Sequence, residues 1–205
     1  MTYKTEQEKF WAGEFGDDYV KRSQYKEIVA SDLALFSKIL THTRSVSSVI
    51  EFGANVGLNL QAVGSLLPNA SLSAVEINSE AVKVLKSNEN IEVFHRSILD
   101  YKPEKQHELT FIKGVLIHIS PEELQSVYEL LYQSSKRYLC VIEYYNPAPV
   151  EINYRGHKER LFKRDFAGEI MDKYQDLKLI DYGFVYHRDN NFPHDDVTWF
   201  LMEKP

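Results

Sequence analysis

The sequence is poor in sulfur, in long apolar runs and in positive charge. Cys140 is the one cysteine among 205 residues, so no internal disulfide framework can form, and its setting (YLCVIEYY) points to the core. No apolar stretch approaches the roughly 18 residues of a membrane span. The start, MTYKTEQEKF, lacks the apolar centre of a secretory leader. The expectation is a cytoplasmic protein without a membrane partner. The 24 Lys and Arg against 30 Asp and Glu leave a net charge of −6, which disfavours non-specific attraction to nucleic acid or anionic lipid. Repeats, low-complexity blocks and linkers are absent too. The length suits one compact domain that buries roughly 70% of its unfolded surface.

What is present is an alternation of two hydrophobic periods. Segment 25–43 sets Ile28, Val29, Leu33, Phe36, Ile39 and Leu40 on one helical face. A strand in VSSVIEFG precedes a helix in GLNLQAVGSLL. Strand LSAVEIN and helix SEAVKVLKSN follow, then strands IEVFHRSI and LTFIKGVLI. SPEE at 120–123 predicts a helix start, with Ser120 as cap, Pro121 in the first turn and Glu123 returning the bond. YLCVIEYY reads as a fifth strand, NPAPVEINYRGHKER as a polar, aromatic-rich loop, and 165–174 as a helix. LKLIDYGFVYH and VTWFLMEK end the chain without a helix between them, so one should run antiparallel. The predicted fold is α/β: a Rossmann-like, seven-stranded, mostly parallel sheet with an antiparallel C-terminal strand and helices on both faces. Residues 1–44 read as an N-terminal helical cap or lid and 45–205 as the ligand-binding unit.

In such sheets ligands collect at the carboxyl ends of the strands. The turn in VIEFGANVGLN (49–59) falls there, with Gly53 and Gly57 giving close backbone approach and Asn55 where a phosphate-binding loop would use a third glycine. Glu76 follows Gly57 by 19 residues, close to the roughly 20 expected of an acid gripping ribose hydroxyls. Glu51, beside the turn, would repel a pyrophosphate and attract a cation. S-adenosylmethionine carries a sulfonium, an ammonium and a ribose but no phosphate, and Asn55 then has an amide to offer its amino-acid end. A nicotinamide oxidoreductase is disfavoured by the same two residues. The plainer alternative is a generic βαβ turn with solvated acids.

These residues, in this order, resemble the class I S-adenosylmethionine-dependent methyltransferases over nearly the whole chain. FWAGEFGDDYVKR, EFGANVGLN, KGVLIHISPEEL and EYYNPAPVEINYRGHKERLFKRDFAGEI are similar to the small methylases associated with pseudaminic acid biosynthesis. The resemblance implies S-adenosylmethionine as cofactor, with S-adenosylhomocysteine as product. It implies that Glu51, Gly53, Asn55 and Gly57 form the first donor motif and that Glu76 and Ile77 hold the ribose. Ser97 and Ile98 would edge the adenine, where an acid often stands in the superfamily and Asp100 is the nearest here. Lys113 and Gly114 would lie beneath the sulfonium.

Methyl transfer needs alignment, and needs a base only if the acceptor must shed a proton. His118, just past the fourth strand, is the best base candidate or else a histidine bonded to a neighbouring loop. Glu143 and Tyr145 are further candidates at the reacting centre. Tyr144, Asn146, Tyr154, Arg155, His157, Lys158 and Arg164 offer the hydroxyls, amides and guanidinium forks that suit an acidic sugar or sugar nucleotide, or form a solvated basic loop. Trp11, Phe15 and Tyr19 either close over the cationic donor, with Arg22 on its carboxylate, or pack a helix on the sheet. His187, with His194, Asp195 and Asp196, suits a pocket rim. The spacing matches no standard zinc motif, so no metal is expected. The functional expectation is a methyltransferase of a small polar molecule. A different metabolite, an amine or a carboxylate, and a non-catalytic donor-binding partner are the alternatives. The sequence does not fix the oligomeric state.

Overall fold

The computed structural model describes residues 3–22 and 26–205. Among them, strands β1 (Ser48–Phe52), β2 (Ser71–Glu76), β3 (Ile91–His95), β4 (His107–Lys113) and β5 (Ser135–Glu143) run parallel. β6 (Val150–Tyr154) and β7 (His157–Lys163) form a separate antiparallel ribbon. β8 (Lys178–Val185) and β9 (Val197–Glu203) complete the main sheet, whose order is β3-β2-β1-β4-β5-β9-β8. β9 is antiparallel to both β5 and β8, so the antiparallel strand lies inside the sheet rather than at its edge. Strand order reverses between β1 and β4, which opens the crevice where ligands bind in this class of sheet.

The period-two alternation of the strands sends side chains to two cores. Val49, Phe111 and Cys140 face one side, packed by Leu35, Phe36 and Ile39 of α3 (Lys26–Leu40) and by Leu60 and Val63 of α4 (Leu58–Leu66). Ile50, Phe52 and Val141 face the other, packed by Val127, Tyr128 and Leu131 of α6 (Leu124–Ser134) and by Phe166 and Ile170 of α7 (Phe166–Lys173). Phe36 meets Phe111 edge to face at 5.1 Å, and both are buried; burying each such side chain contributes about 1.5–3 kcal/mol. Among the described residues no helix is long and apolar enough to cross a membrane.

Two short helices, α1 (Glu6–Ala12) and α2 (Glu14–Arg22), precede the sheet. They are tied to the loop after β2, where Asn78 Nδ2 donates to the Trp11 carbonyl (3.1 Å) and to Asp17 (2.8 Å). Asn78 also caps α5 (Ser79–Leu85).

Four sequence expectations are corrected. The start of the helix expected over 25–43 lies partly outside the described residues at Tyr25, and α3 itself ends at Leu40. The fourth strand stops at Lys113, because Gly114 takes a φ of +65° and Leu116–His118 wind into a single 3-10 turn. Ser120 does not cap α6: the helix begins at Leu124, and Ser120 instead receives the Glu123 backbone N–H at 2.9 Å in a preceding turn. The stretch after β5 is not a loop throughout but the β6–β7 hairpin. Its two-residue turn, Arg155–Gly156, has φ of +51° and +89°, the left-handed pair that tight hairpins demand.

Gly57 opens α4 at φ +82°, and a Cβ there would lie 2.6 Å from Leu85 Cδ2. Gly57→Ala should lower stability by about 1–3 kcal/mol in urea unfolding; an unchanged midpoint would show that the turn relaxes freely.

Candidate active site

A cavity of about 660 Å³ lies over the carboxyl ends of β1, β2 and β4. Its floor is the turn after β1. Gly53 holds φ +75°, and a Cβ on it would meet Val115 at 2.5 Å, so only glycine lets the two loops approach this closely. Glu76 ties the floor together: Oε2 accepts from the Asn55 backbone (2.7 Å) and Oε1 from the Asn78 backbone (2.7 Å). Burial raises its carboxyl above the usual range, against the pull of those amides. Glu76, Ile77, Ser97 and Ile98 all line the wall, and Gly114 opens onto it with no atom within 4 Å of its missing Cβ.

A buried polar chain crosses the centre. Lys113 Nζ donates to Asp32 Oδ1 (2.7 Å) and to Asn59 Oδ1 (2.8 Å), and Asn59 Nδ2 donates to Glu51 Oε1 (2.6 Å). His194 Nε2 meets Asp32 Oδ1 at 2.9 Å. Burial works against the charge of Asp32, but the bonds from His194 and Lys113 outweigh it and hold the carboxyl below its ordinary value. For Glu51 burial prevails over Asn59 and Lys113, and the carboxyl is raised well above its usual range. Glu51 is fully buried and absent from the cavity wall; of these two acids it is Asp32 that lines it. Asp32 Oδ2 and Glu51 Oε2 are buried without a partner among the described residues.

The roof is aromatic. His118, on the turn after β4, lies between Trp11 of α1 (ring centroids 4.6 Å) and Tyr154 of the hairpin (4.9 Å). Its Nδ1 is 2.5 Å from the Arg160 carbonyl. That oxygen can only accept, so Nδ1 carries the proton and Nε2 remains an acceptor. Burial lowers the imidazole to about 4, against the Arg160 bond, so the ring is neutral at pH 7. Glu143 anchors the same turn: its Oε1 accepts from the backbones of Val115 and Leu116, each at 2.8 Å.

No protein-family model and no curated protein sequence matches the chain, but solved structures do match its fold. Magnesium protoporphyrin IX methyltransferase from Synechocystis PCC 6803, solved with bound SAM, superposes with a TM-score of 0.67 at 12% identity over 100% of both chains. The plantazolicin methyltransferase BpumL, solved with a pentazolic desmethylPZN analog and SAH, gives 0.64 at 12% identity over 96% of this chain and 94% of that one. An S-adenosylmethionine-dependent methyltransferase from Clostridium acetobutylicum ATCC 824 gives 0.64 at 12% identity over 93% and 97%. The fold is that of the class I methyltransferases.

On this fold the residues singled out in the sequence divide sharply. Trp11, Tyr19, Asn55, Lys113, Tyr144, Tyr154, Arg155 and His187 join those already described in lining the cavity. Tyr144 is bonded to Asp195, with its ring beneath Lys163 (4.8 Å). Others stand away from it. Phe15 stacks on Phe10 at 4.1 Å, Arg22 lies against Phe15 and Tyr19, and Gly57 packs on Leu85. Glu143 is buried under the turn, whereas Tyr145 is exposed against Phe200. Asn146 bonds the Ala148 carbonyl, His157 packs on Phe10, Lys158 is exposed, and Arg164 pairs with Glu169 at 2.6 Å. Asp100 is drawn to Lys4 at 2.6 Å and does not line the wall. Sequence reasoning missed Asp32, Asn59 and Glu8. Asp32 and Glu8 lie on helices where an acid reads as solvated, and only the tertiary fold brings them inside. Among the described residues no three metal-binding side chains gather.

Glu143 gives a pH test. Burial pushes its carboxyl up to about 7, against the amides of Val115, Leu116 and Ile117. A raised value means that the native state holds the proton more tightly. The group's contribution is therefore fully present below its unfolded value and is lost as pH rises through about 7. Glu143→Gln keeps an acceptor and cannot ionise. Its stability relative to wild type should rise from pH 5 to pH 8 by roughly 3 kcal/mol at most; thermal melts showing the same difference at both pH values would contradict the shift.

Proposed function

We propose that the protein is an S-adenosylmethionine-dependent methyltransferase acting on a small polar acceptor, foremost an acidic nonulosonic sugar or its nucleotide-activated form. One observation carries the donor assignment: the cavity-lining Asp32 holds a buried oxygen, Oδ2, with no partner among the described residues. A buried carboxylate oxygen left unpaired is costly, and a ligand ammonium satisfies it. The remaining wall fits the same ligand. Glu76 retains acceptor positions for ribose hydroxyls, and Ser97 and Ile98 border the base side. Trp11 and Tyr19 offer π-faces to a cation, and the floor lacks the third glycine a pyrophosphate would favour.

S-adenosylmethionine, when bound, supplies a methyl already activated on sulfonium, and leaves as S-adenosylhomocysteine. The chain's own task is alignment and exclusion of water. Lys113 stays paired with Asp32, so it brings no uncompensated positive charge beside a sulfonium. His118, neutral and with Nδ1 committed to Arg160, presents Nε2 to take a proton from an acceptor hydroxyl or amine. Arg155 offers a guanidinium to a carboxylate, while Tyr144, Tyr154 and His187 offer hydrogen bonds to a polyol. This mixture, with the sequence resemblance to pseudaminic acid-associated methylases, supports the acidic-sugar class. Within residues 1–44, α1 and α2 serve as the cap, while α3 packs in the core and brings Asp32 to the donor-binding unit 45–205.

Incubation with isotopically labelled donor and a panel of nonulosonic acids and their nucleotide forms should yield, by mass spectrometry, a gain of one methyl on at least one member; methylation confined to unrelated amines would redirect the substrate class. Asp32→Asn should weaken S-adenosylhomocysteine binding by about tenfold or more in calorimetry, and undiminished affinity would remove the ammonium contact.

A further inference from the structure

The strand that ends at the base side of the cavity carries no acid at its tip; its one acid, Glu92, is paired with Lys105 and Ser73. Ser97 follows β3 with only a hydroxyl, and Asp100 is occupied by Lys4 outside the wall. A carboxylate nevertheless stands there. Glu8, the third residue of α1, is 7% exposed, lines the cavity and accepts a hydrogen bond at Oε1 from the Ser97 hydroxyl. Its Oε2 accepts from the backbones of Lys4 (2.5 Å) and Thr5 (2.9 Å). An ionised carboxylate has about four acceptor positions. Three are used, and the fourth is on Oε1, the oxygen at Ser97. Lys4 adds a second fastening, its Nζ donating to the Leu99 carbonyl at 2.8 Å.

We propose that Glu8 is the specificity residue for the nucleobase of the donor, its Oε1 accepting from the exocyclic amine of a 6-aminopurine. This rests on the donor assignment above. A carboxylate accepts and does not donate. It favours an amino group and opposes a carbonyl oxygen at the same position, where two acceptors would meet. The base is thus read by the N-terminal helix rather than by the sheet, and each bound donor adds a bond that holds α1 over the cavity.

Glu8→Gln separates this role from folding. Thr5 and Glu8 form a capping box on α1, a position that glutamine also serves. The amide oxygen of the variant still receives the Lys4 and Thr5 N–H groups, and its NH₂ then faces Ser97 and the base. Calorimetry of S-adenosylhomocysteine and of its 6-oxo counterpart, S-inosylhomocysteine, reads the consequence. Wild type should prefer the 6-amino ligand by about tenfold or more, and E8Q should lose or reverse that preference. An equal preference in E8Q and wild type would overturn the proposal. So would wild type that binds both ligands alike, a result that needs no variant. A folded wild type that binds neither would instead overturn the donor assignment itself.

Discussion

The ion pair between Lys113 and Asp32 is the constraint around which the rest is arranged. Asp32 is completely buried and Lys113 nearly so, and buried pairs of this kind add little net stability while the loss of either partner costs about 3–5 kcal/mol. What the pair gives is position. It binds α3 to the end of β4, and through Asn59 it reaches α4 and β1. His194 brings in the connection between β8 and β9. Burial raises the Glu51 carboxyl, so a second negative charge beside Asp32 is disfavoured in this cluster.

Floor and roof differ in how they are built. The floor consists of loops that leave hydrogen-bonded parallel strands, fixed by Glu76 between Asn55 and Asn78. The roof is made from two short helices and a two-stranded ribbon that meet through rings: Phe10 on Phe15, Trp11 on His118, Tyr154 on His118. Ring contacts of this sort contribute about 0.5–1.5 kcal/mol each beyond area, much less than a sheet ladder. Polar bonds fasten the helices to the floor as well: Asn78 donates to Trp11 and Asp17, the Ser97 hydroxyl to Glu8, and Lys4 to the Leu99 carbonyl.

Much of the architecture was legible because each strand carries its own alternation. Val49, Ile50 and Phe52 announce two cores within four residues, and the sheet answers with helices on both faces. The turn at Gly53–Gly57 and the acid at Glu76 were legible because backbone conformation and spacing are local properties. The hairpin was not, since its signal, Arg155–Gly156, sits in a charged stretch whose pairing partners are recognised only once the strands meet. Glu51 shows a different limit: its place in the motif was readable, but whether the carboxylate faced ligand or core was decided by Asn59, which intervenes on the next helix. Glu8 and Asp32 were hidden for the converse reason, as polar residues on helices that become interior only through contacts with Ser97 and Lys113.

Cys140 has a practical consequence. It is the chain's one thiol, fully buried on β5, and burial disfavours its reactive thiolate. Cysteines introduced on α1 and at the β6–β7 turn would meet no competing native sulfur. Paired nitroxides or fluorophores placed there would report the separation of helix and ribbon directly, in an otherwise unaltered background.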